Sequence, residues 1–432
     1  MRKLDLRTMT PDALDAAVAR VRPGRNGEQS NGRLAGAGGL IETAETAMPS
    51  AELIKLLETA VEREASDVHL VPGYPPTLRV HGQLRPARTA VLEADETRRM
   101  VESLLPERAR LTLDAHKNLD CSVSLARRGV PARFRASVYL SQGQWCAALR
   151  HIPNEIPTLE WLGFPEELAE RLVSHTNGLV VITGVTGSGK TATLAALVNL
   201  LRRDGTRRIL TVEEPIEYLH PPVLGGAEAA AGLVDGATEI ADGAAAALGG
   251  LVTQREVGRD VDSFADGLKH GLRQDPDVIL VGEIRDRETA QMALSAAETG
   301  HLILTTLHTR DAKGAVSRLV DIFPQESQDD IRSQLAMSLR SVVCQHLLPA
   351  ADEGEKRVLA LEVLHCNQQV QVAIRAGKIE MIESALQTGK REGMFPLDED
   401  LQRLVTAGRI TVETARRFAK DPAAILGGGR NW

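Results

Sequence analysis

At 432 residues the chain is too long for one ordinary hydrophobic core, so two or three domains are expected from length alone. Apolar residues make up 43% and charged residues 25%, as in a globular protein, whereas aromatics at 3% are too sparse for a platform on which bases stack. The net charge of −7 argues against a generally basic surface, so no stable nucleic-acid partner is expected, and the cluster Arg202, Arg203, Arg207 and Arg208 reads as a solvated helix end.

The four cysteines, Cys121, Cys146, Cys344 and Cys366, are scattered without a CxxC spacing, which gives neither a zinc site nor a disulfide framework and fits a reducing cytoplasm. No apolar stretch is long enough to span a bilayer and no apolar signal region follows Met1-Arg2-Lys3, so membrane contact is expected to be peripheral.

In chain order, a short helix is expected around Pro11–Val21, followed by six glycines between Arg22 and Gly39, so residues 1–50 read as a flexible N-terminal extension. Leu53, Ile54, Leu56, Leu57 and Val61 then have helical spacing. Short alternating runs follow at Asp67–Val71, Thr77–Val80, Cys121–Leu125, Phe134–Leu140 and Cys146–Arg150, which makes 51–152 a small α+β domain.

Beyond Pro157 the pattern changes to apolar strands alternating with amphipathic helices. Leu179–Thr183, Ile209–Glu213, Val278–Val281 and Leu302–Thr306 are runs of the kind buried on both faces of a parallel sheet, so an α/β core is expected over 159–348. The alanine- and glycine-rich stretch 223–250 reads as a surface loop or loosely helical insert without chemistry of its own. Residues 357–422 read as a small helical region with turn signals at Gly377, Gly389 and Gly408.

Gly184-Val185-Thr186-Gly187-Ser188-Gly189-Lys190-Thr191 matches GxxxxGK[ST] between an apolar strand and a helix-forming run, the context a phosphate-binding P-loop requires. Its glycines let backbone N–H groups face phosphate oxygens at a helix N-terminus, Lys190 reaches the β- and γ-phosphates, and Thr191 ligates Mg²⁺. ATP with Mg²⁺ is therefore the expected ligand.

The run Asp275 to Glu283 looks like a Walker B strand, except that Gly282 stands where an Asp would hold the metal. The missing carboxylate is sought in Thr211-Val212-Glu213-Glu214-Pro215-Ile216-Glu217. Glu217 is assigned as the general base and Glu283 to Mg²⁺ and water positioning, with Glu213 and Glu214 supporting; exchanging the roles of Glu217 and Glu283 is nearly as plausible. His301 and His308 flank the next strand. His308 and Thr306, at its carboxyl end, are better placed than His301 to sense a γ-phosphate.

With these blocks in order, the chain resembles the secretion ATPase superfamily of type II secretion, type IV secretion and type IV pili, and most of all the pilus retraction (twitching motility) group, the PilT group. The resemblance runs from Ala65 to Pro422. It is carried by Ala65–Leu70, Arg133-Phe134-Arg135, the P-loop, Glu213–Glu217, Gln254–Val257, Leu272–Asp286, Thr299–Thr309 and Ile382–Gly389. It implies a RecA-like P-loop NTPase core with a PAS-like N-terminal α+β domain and a small C-terminal helical region, assembled as a homohexamer. Arg133 and Arg135 occupy the family's positions for arginines supplied in trans to the γ-phosphate, and Arg150 the position along the adenine.

The implied function is a cytoplasmic motor, peripheral to the inner membrane, that passes ATP-driven motion to a platform protein of the pilus machine. The alternative is the ATPase of a conjugative, effector-secreting or type II system. A catalytically silent scaffold and a DNA translocase are less favoured. Three departures stand out: Glu214 replaces the usual Asp, the insert 223–250 is extra, and Val370–Arg375 keeps only part of the C-terminal motif of retraction motors. The four-cysteine zinc cluster of assembly ATPases is missing as well.

Overall fold

The structure, a computed structural model, describes residues 49–80, 82–125, 132–152, 155–221, 250–352 and 356–426, all within the unit Ala47–Trp432. The expected helix at Pro11–Val21, nearly all of the N-terminal extension and all but Gly250 of the insert lie outside these residues.

Helix α1 (Ala51–Glu62) begins at Ser50, whose hydroxyl accepts from the Leu53 N–H at 3.3 Å, and it buries Leu53, Leu57 and Ala60 on one face. With α2 (Ala94–Glu102) and α3 (Glu107–His116) it encloses the core of a six-stranded sheet, in which Leu53, Leu57, Met100 and Leu113 meet Phe134, Val138 and Leu149. The strands are β1 (Asp67–Leu70), β2 (Thr77–Val80), β3 (Gln83–Pro86), β4 (Asn118–Leu125), β5 (Ala132–Ser141) and β6 (Gln144–Ile152). They run in the order β3-β2-β1-β6-β5-β4, each antiparallel to its neighbour. Strand β3 was not expected from the sequence: its side chains are all exposed, so no apolar alternation marks it.

The second sheet follows α4 (Leu159–Leu162) and α5 (Glu166–Ser174). Its strands are β7 (Gly178–Thr183), β8 (Ile209–Glu213), β9 (Val252–Glu256), β10 (Val278–Val281), β11 (Leu302–Thr306), β12 (Leu339–Leu348) and β13 (Val358–His365), in the order β13-β12-β7-β11-β10-β8-β9. Every pair is parallel except β12 with β13. The strands β7, β8, β10 and β11 are buried throughout, and alternate residues serve opposite faces. Leu179, Val181, Leu210 and Ile303 face a core with α7 (Phe264–Gly271), α8 (Arg287–Glu298), α9 (Ala312–Asp321) and α10 (Gln328–Ser338). Val180, Ile182, Ile209 and Leu304 face α5 and α6 (Lys190–Asp204).

The region expected to be helical from residue 357 opens instead with β13. All eight of its residues are buried, and the run Val358-Leu359-Ala360-Leu361 completes the large sheet. Helices α11 (Gln368–Arg375) and α12 (Met381–Thr388) bury Val370, Ile374, Ile382 and Leu386 in the same core as β7. Helices α13 (Leu397–Thr406) and α14 (Val412–Phe418) cover Leu348, Val358 and Ala360. The C-terminal helices therefore share the core of the large sheet.

Phe134 is fully buried at the centre of the antiparallel sheet. Phe134→Ala is expected to cost about 3–5 kcal/mol, read as a lowered midpoint in urea denaturation.

Candidate nucleotide site

Because β7, β8, β10 and β11 are parallel, the residues that follow them gather along one edge of the sheet, and a cleft of about 810 Å³ lies there. Six of the eight P-loop residues, Thr186 to Thr191, line it. Gly184 and Val185 lie at the base of the loop, where their carbonyls accept from the Lys190 ammonium at 2.8 and 3.2 Å. Gly184 has φ +144°, and a Cβ there would come within 2.4 Å of the Gln345 carbonyl oxygen on β12. Only glycine lets the loop sit this close to its neighbouring strand. Gly189, at φ +90°, turns the chain into α6. Burial lowers the pKa of Lys190, opposed by the nearby Glu283 carboxylate.

The carboxylates expected from sequence converge on this cleft: Glu213, Glu214, Glu217 and Glu283 all line it. Glu283 bonds through one oxygen to Arg285 and through the other to His308 Nε2 at 3.1 Å. The other ring nitrogen of His308 lies 3.4 Å from Lys190 Nζ, so the histidine spans the P-loop lysine and the Walker B acid. Thr306 donates to the Gly282 carbonyl at 2.6 Å and also lines the cleft, while His301, bonded to the Ala296 carbonyl, sits at the opposite end of β11.

Gly282 has a packing reason. A Cβ there would lie 3.3 Å from both the Phe264 ring and the Val212 carbonyl oxygen, so an Asp would be crowded at the position where the usual metal carboxylate is expected.

Glu213 is buried to the same degree as Glu283, and its Oε1 accepts from Thr211 Oγ1 at 2.6 Å and Gln254 Nε2 at 3.2 Å. Burial raises its pKa to about 7, with Glu217 adding to the rise and Arg133 and the two hydrogen bonds opposing it. Oxygen donors from Thr191 and the acids suit a hard cation. No cluster of three or more His, Cys, Asp or Glu with metal-holding geometry occurs among the described residues.

Of the three arginines, Arg135 and Arg150 line the cleft from β5 and β6. Arg135 lies 3.9 Å from Glu217, and Arg150 donates to Asp67 at 2.9 Å. Arg133 is not part of the cleft lining. Only 5% exposed, it donates to the carbonyls of Ile216 at 2.7 Å and Glu217 at 3.0 Å, two acceptors that match its planar fork. Strands alternate their side chains, so Arg133 and Arg135 should share a face; what separates them is their partners, main-chain carbonyls for Arg133 and the Glu217 carboxylate for Arg135.

Sequence reasoning missed Arg285, which holds Glu283 and lies 3.7 Å from Glu214. It also missed Gln254 as the partner of Glu213, and Arg357, which donates to the Gly187 carbonyl at 3.4 Å. Arg285 follows the Walker B acid by two residues, a signal available in sequence; Arg357 immediately precedes β13, in the region read as helical.

Residues 43–425 match the protein family described as "Type II/IV secretion system protein". The "Uncharacterized protein YggR" of Escherichia coli (strain K12) is 39% identical over 356 residues, 82% of this chain and 99% of its own length. The "Type IV pilus retractation ATPase PilT" of Pseudomonas aeruginosa is 38% identical over 371 residues, 86% of this chain and 99% of its own. The crystal structure of the pilus retraction motor PilT with bound ADP superimposes with a TM-score of 0.72 at 36% identity, covering 86% of this chain and 97% of that one.

The raised pKa of Glu213 sets a pH test. Between its ordinary value of 4.5 and about 7 the folded chain binds more protons here than the unfolded chain, so this residue's contribution to stability falls as pH rises through that window. Glu213→Gln keeps an oxygen for Thr211 and Gln254 but removes the titration. Relative to this variant, the native chain is expected to lose up to about 3 kcal/mol between pH 5 and pH 8, measured by urea denaturation at both.

Proposed function

Because the chain belongs to the type II/IV secretion system protein family, we propose that it is an ATP-hydrolysing motor of the type IV pilus retraction kind. The observation that carries the reading is the meeting of Lys190, Thr191, Glu217 and Glu283 in one cleft at the edge of a largely parallel sheet. The similarity to a retraction ATPase over nearly its whole length, and to a retraction motor that binds ADP, supports the same activity here.

In this proposal the P-loop amides and Lys190 hold the β- and γ-phosphates. Thr191 and Glu283, with Glu213 and Glu214 beside them, hold Mg²⁺, which when bound offsets phosphate charge. Glu217 takes a proton from water as the water oxygen bonds to the γ-phosphorus and the bridging oxygen leaves on ADP. Arg135 stands beside Glu217 to offset the charge that develops on the transferred group, and His308 links Lys190 to Glu283, where it can register the γ-phosphate. Arg150 is assigned to the nucleotide's base and ribose side.

We assign residues 51–152 as a PAS-like domain, 159–348 with β13 as a RecA-like core and the following helices as its C-terminal extension. A homohexamer working on an inner-membrane platform protein is the proposed assembly. No helix among the described residues is long and apolar enough to cross a membrane.

Steady-state phosphate release by the purified chain tests the reading. Lys190→Ala is expected to abolish turnover, and Glu217→Gln to lower kcat by about 10²–10⁴-fold with nucleotide affinity retained. Native turnover absent, or unchanged by Lys190→Ala, overturns the hydrolytic role. A deletion strain that overproduces surface pili supports retraction, and one that instead loses secretion overturns it.

A further inference from the structure

Glu256, the last residue of β9, is 4% exposed and lies level with Glu213 at the end of β8. It is not among the residues lining the cleft, so its carboxylate does not meet the nucleotide directly. A carboxylate buried this deeply is tolerated only where its oxygens are hydrogen-bonded, and both are. Oε2 accepts from the Ile216 N–H at 3.1 Å. Oε1 accepts from the Ser122 hydroxyl at 2.9 Å, and Ser122 belongs to β4 of the antiparallel sheet, 134 residues away in sequence.

Ile216 thus has both backbone polar groups taken: its N–H by Glu256 and its carbonyl by Arg133, whose second donor takes the carbonyl of Glu217. The backbone that carries the Glu217 carboxylate is gripped between the end of β9 and the antiparallel sheet. Charge-assisted bonds of this kind are the stronger and more directional ones. A general base displaced by about 1 Å can cost 10²-fold in rate.

We propose that Glu256 is a positioning residue for Glu217, and that through Ser122 it makes the placement of Glu217 depend on the docking of the antiparallel sheet against the large one. The proposal rests on the hydrolytic reading above. A shift of the antiparallel sheet would then pull on Ser122 and Arg133 together and move Glu217, leaving the P-loop and its grip on phosphate unchanged.

The test compares Glu256→Ala, Glu256→Gln and Ser122→Ala with the native full-length chain by phosphate-release kinetics, ADP affinity from calorimetry and thermal melting. Glu256→Ala is expected to lower kcat by about 10²-fold, with the KM for ATP and the ADP affinity within about twofold of native. Ser122→Ala, which cuts only the link between sheets, is expected to lower kcat about 3–10-fold with KM unchanged. Glu256→Gln is expected to recover most of the rate, because its amide oxygen accepts from Ile216 while its NH₂ donates to a reoriented Ser122 hydroxyl.

The inference is overturned if Ser122→Ala and Glu256→Gln both turn over at native rate while Glu256→Ala loses activity only in step with ADP affinity and melting temperature. It is overturned as well if all three variants behave as native. Should Glu256→Ala fail to fold, the Ser122→Ala rate and KM decide. If the native chain has no turnover that depends on Lys190, the hydrolytic reading itself fails and takes this inference with it. Lys190-dependent native turnover that is indifferent to Ser122 and Glu256 overturns the inference alone.

Discussion

Parallel strands buried on both faces leave one place for charge, the edge where they end, and the cleft depends on that constraint. Strands β7, β8, β10 and β11 are wholly buried along their length. The chain turns polar at or just past their ends, at the P-loop, Glu213, Glu283 and His308. The hydrogen-bond register between strands fixes how far these ends project, so the polar groups arrive at fixed spacing before any side chain chooses a rotamer. Gly282 follows from the same packing. With Phe264 and the β8 backbone so near, the Walker B position has little room for a side chain, and the carboxylates come from the next residue and from the neighbouring strand.

Crowding charges into one cleft has electrostatic consequences that the side chains share between them. Burial pushes Glu213 toward its neutral form, while the Lys190 ammonium is stabilised by the carbonyls of its own loop. Glu283 is held between Arg285 and His308. Because Arg285 and His308 are themselves largely exposed, these pairs orient the acid more than they stabilise the fold. The result is a preorganised set of donors and acceptors around the phosphate-binding loop.

The antiparallel sheet contributes in two ways. Arg135 and Arg150 bring positive charge to the rim of the cleft. Arg133 and Ser122 reach under the acidic segment and hold its backbone, directly or through Glu256. Two neighbouring arginines of one strand thus have different work: one guanidinium faces the cleft, and the other is consumed by main-chain carbonyls.

The P-loop, the strand that feeds it and the acids at the ends of β8 and β10 were legible in the amino-acid sequence. They follow from short-range rules: glycine spacing, an apolar run buried on both faces and a polar residue at its end. Other features were not legible. The strand β3 has no buried residue, so nothing in its pattern distinguishes it from a loop. The strand β13 is a short apolar run, and periodicity alone cannot separate a buried strand from a buried helix. Arg133 and Arg135 share the same two-residue spacing and the same chemistry, so the sequence could only place both near the phosphate. Which of them lines the cleft was decided by tertiary contact, because the carbonyls of Ile216 and Glu217 are brought to Arg133 by a loop 83 residues away. Sequence by itself determined the ligand class and the strands that present it; the pairing of Glu256 with Ser122, and with it the dependence of one sheet on the other, exists only where long-range folding brings a buried acceptor to a distant donor.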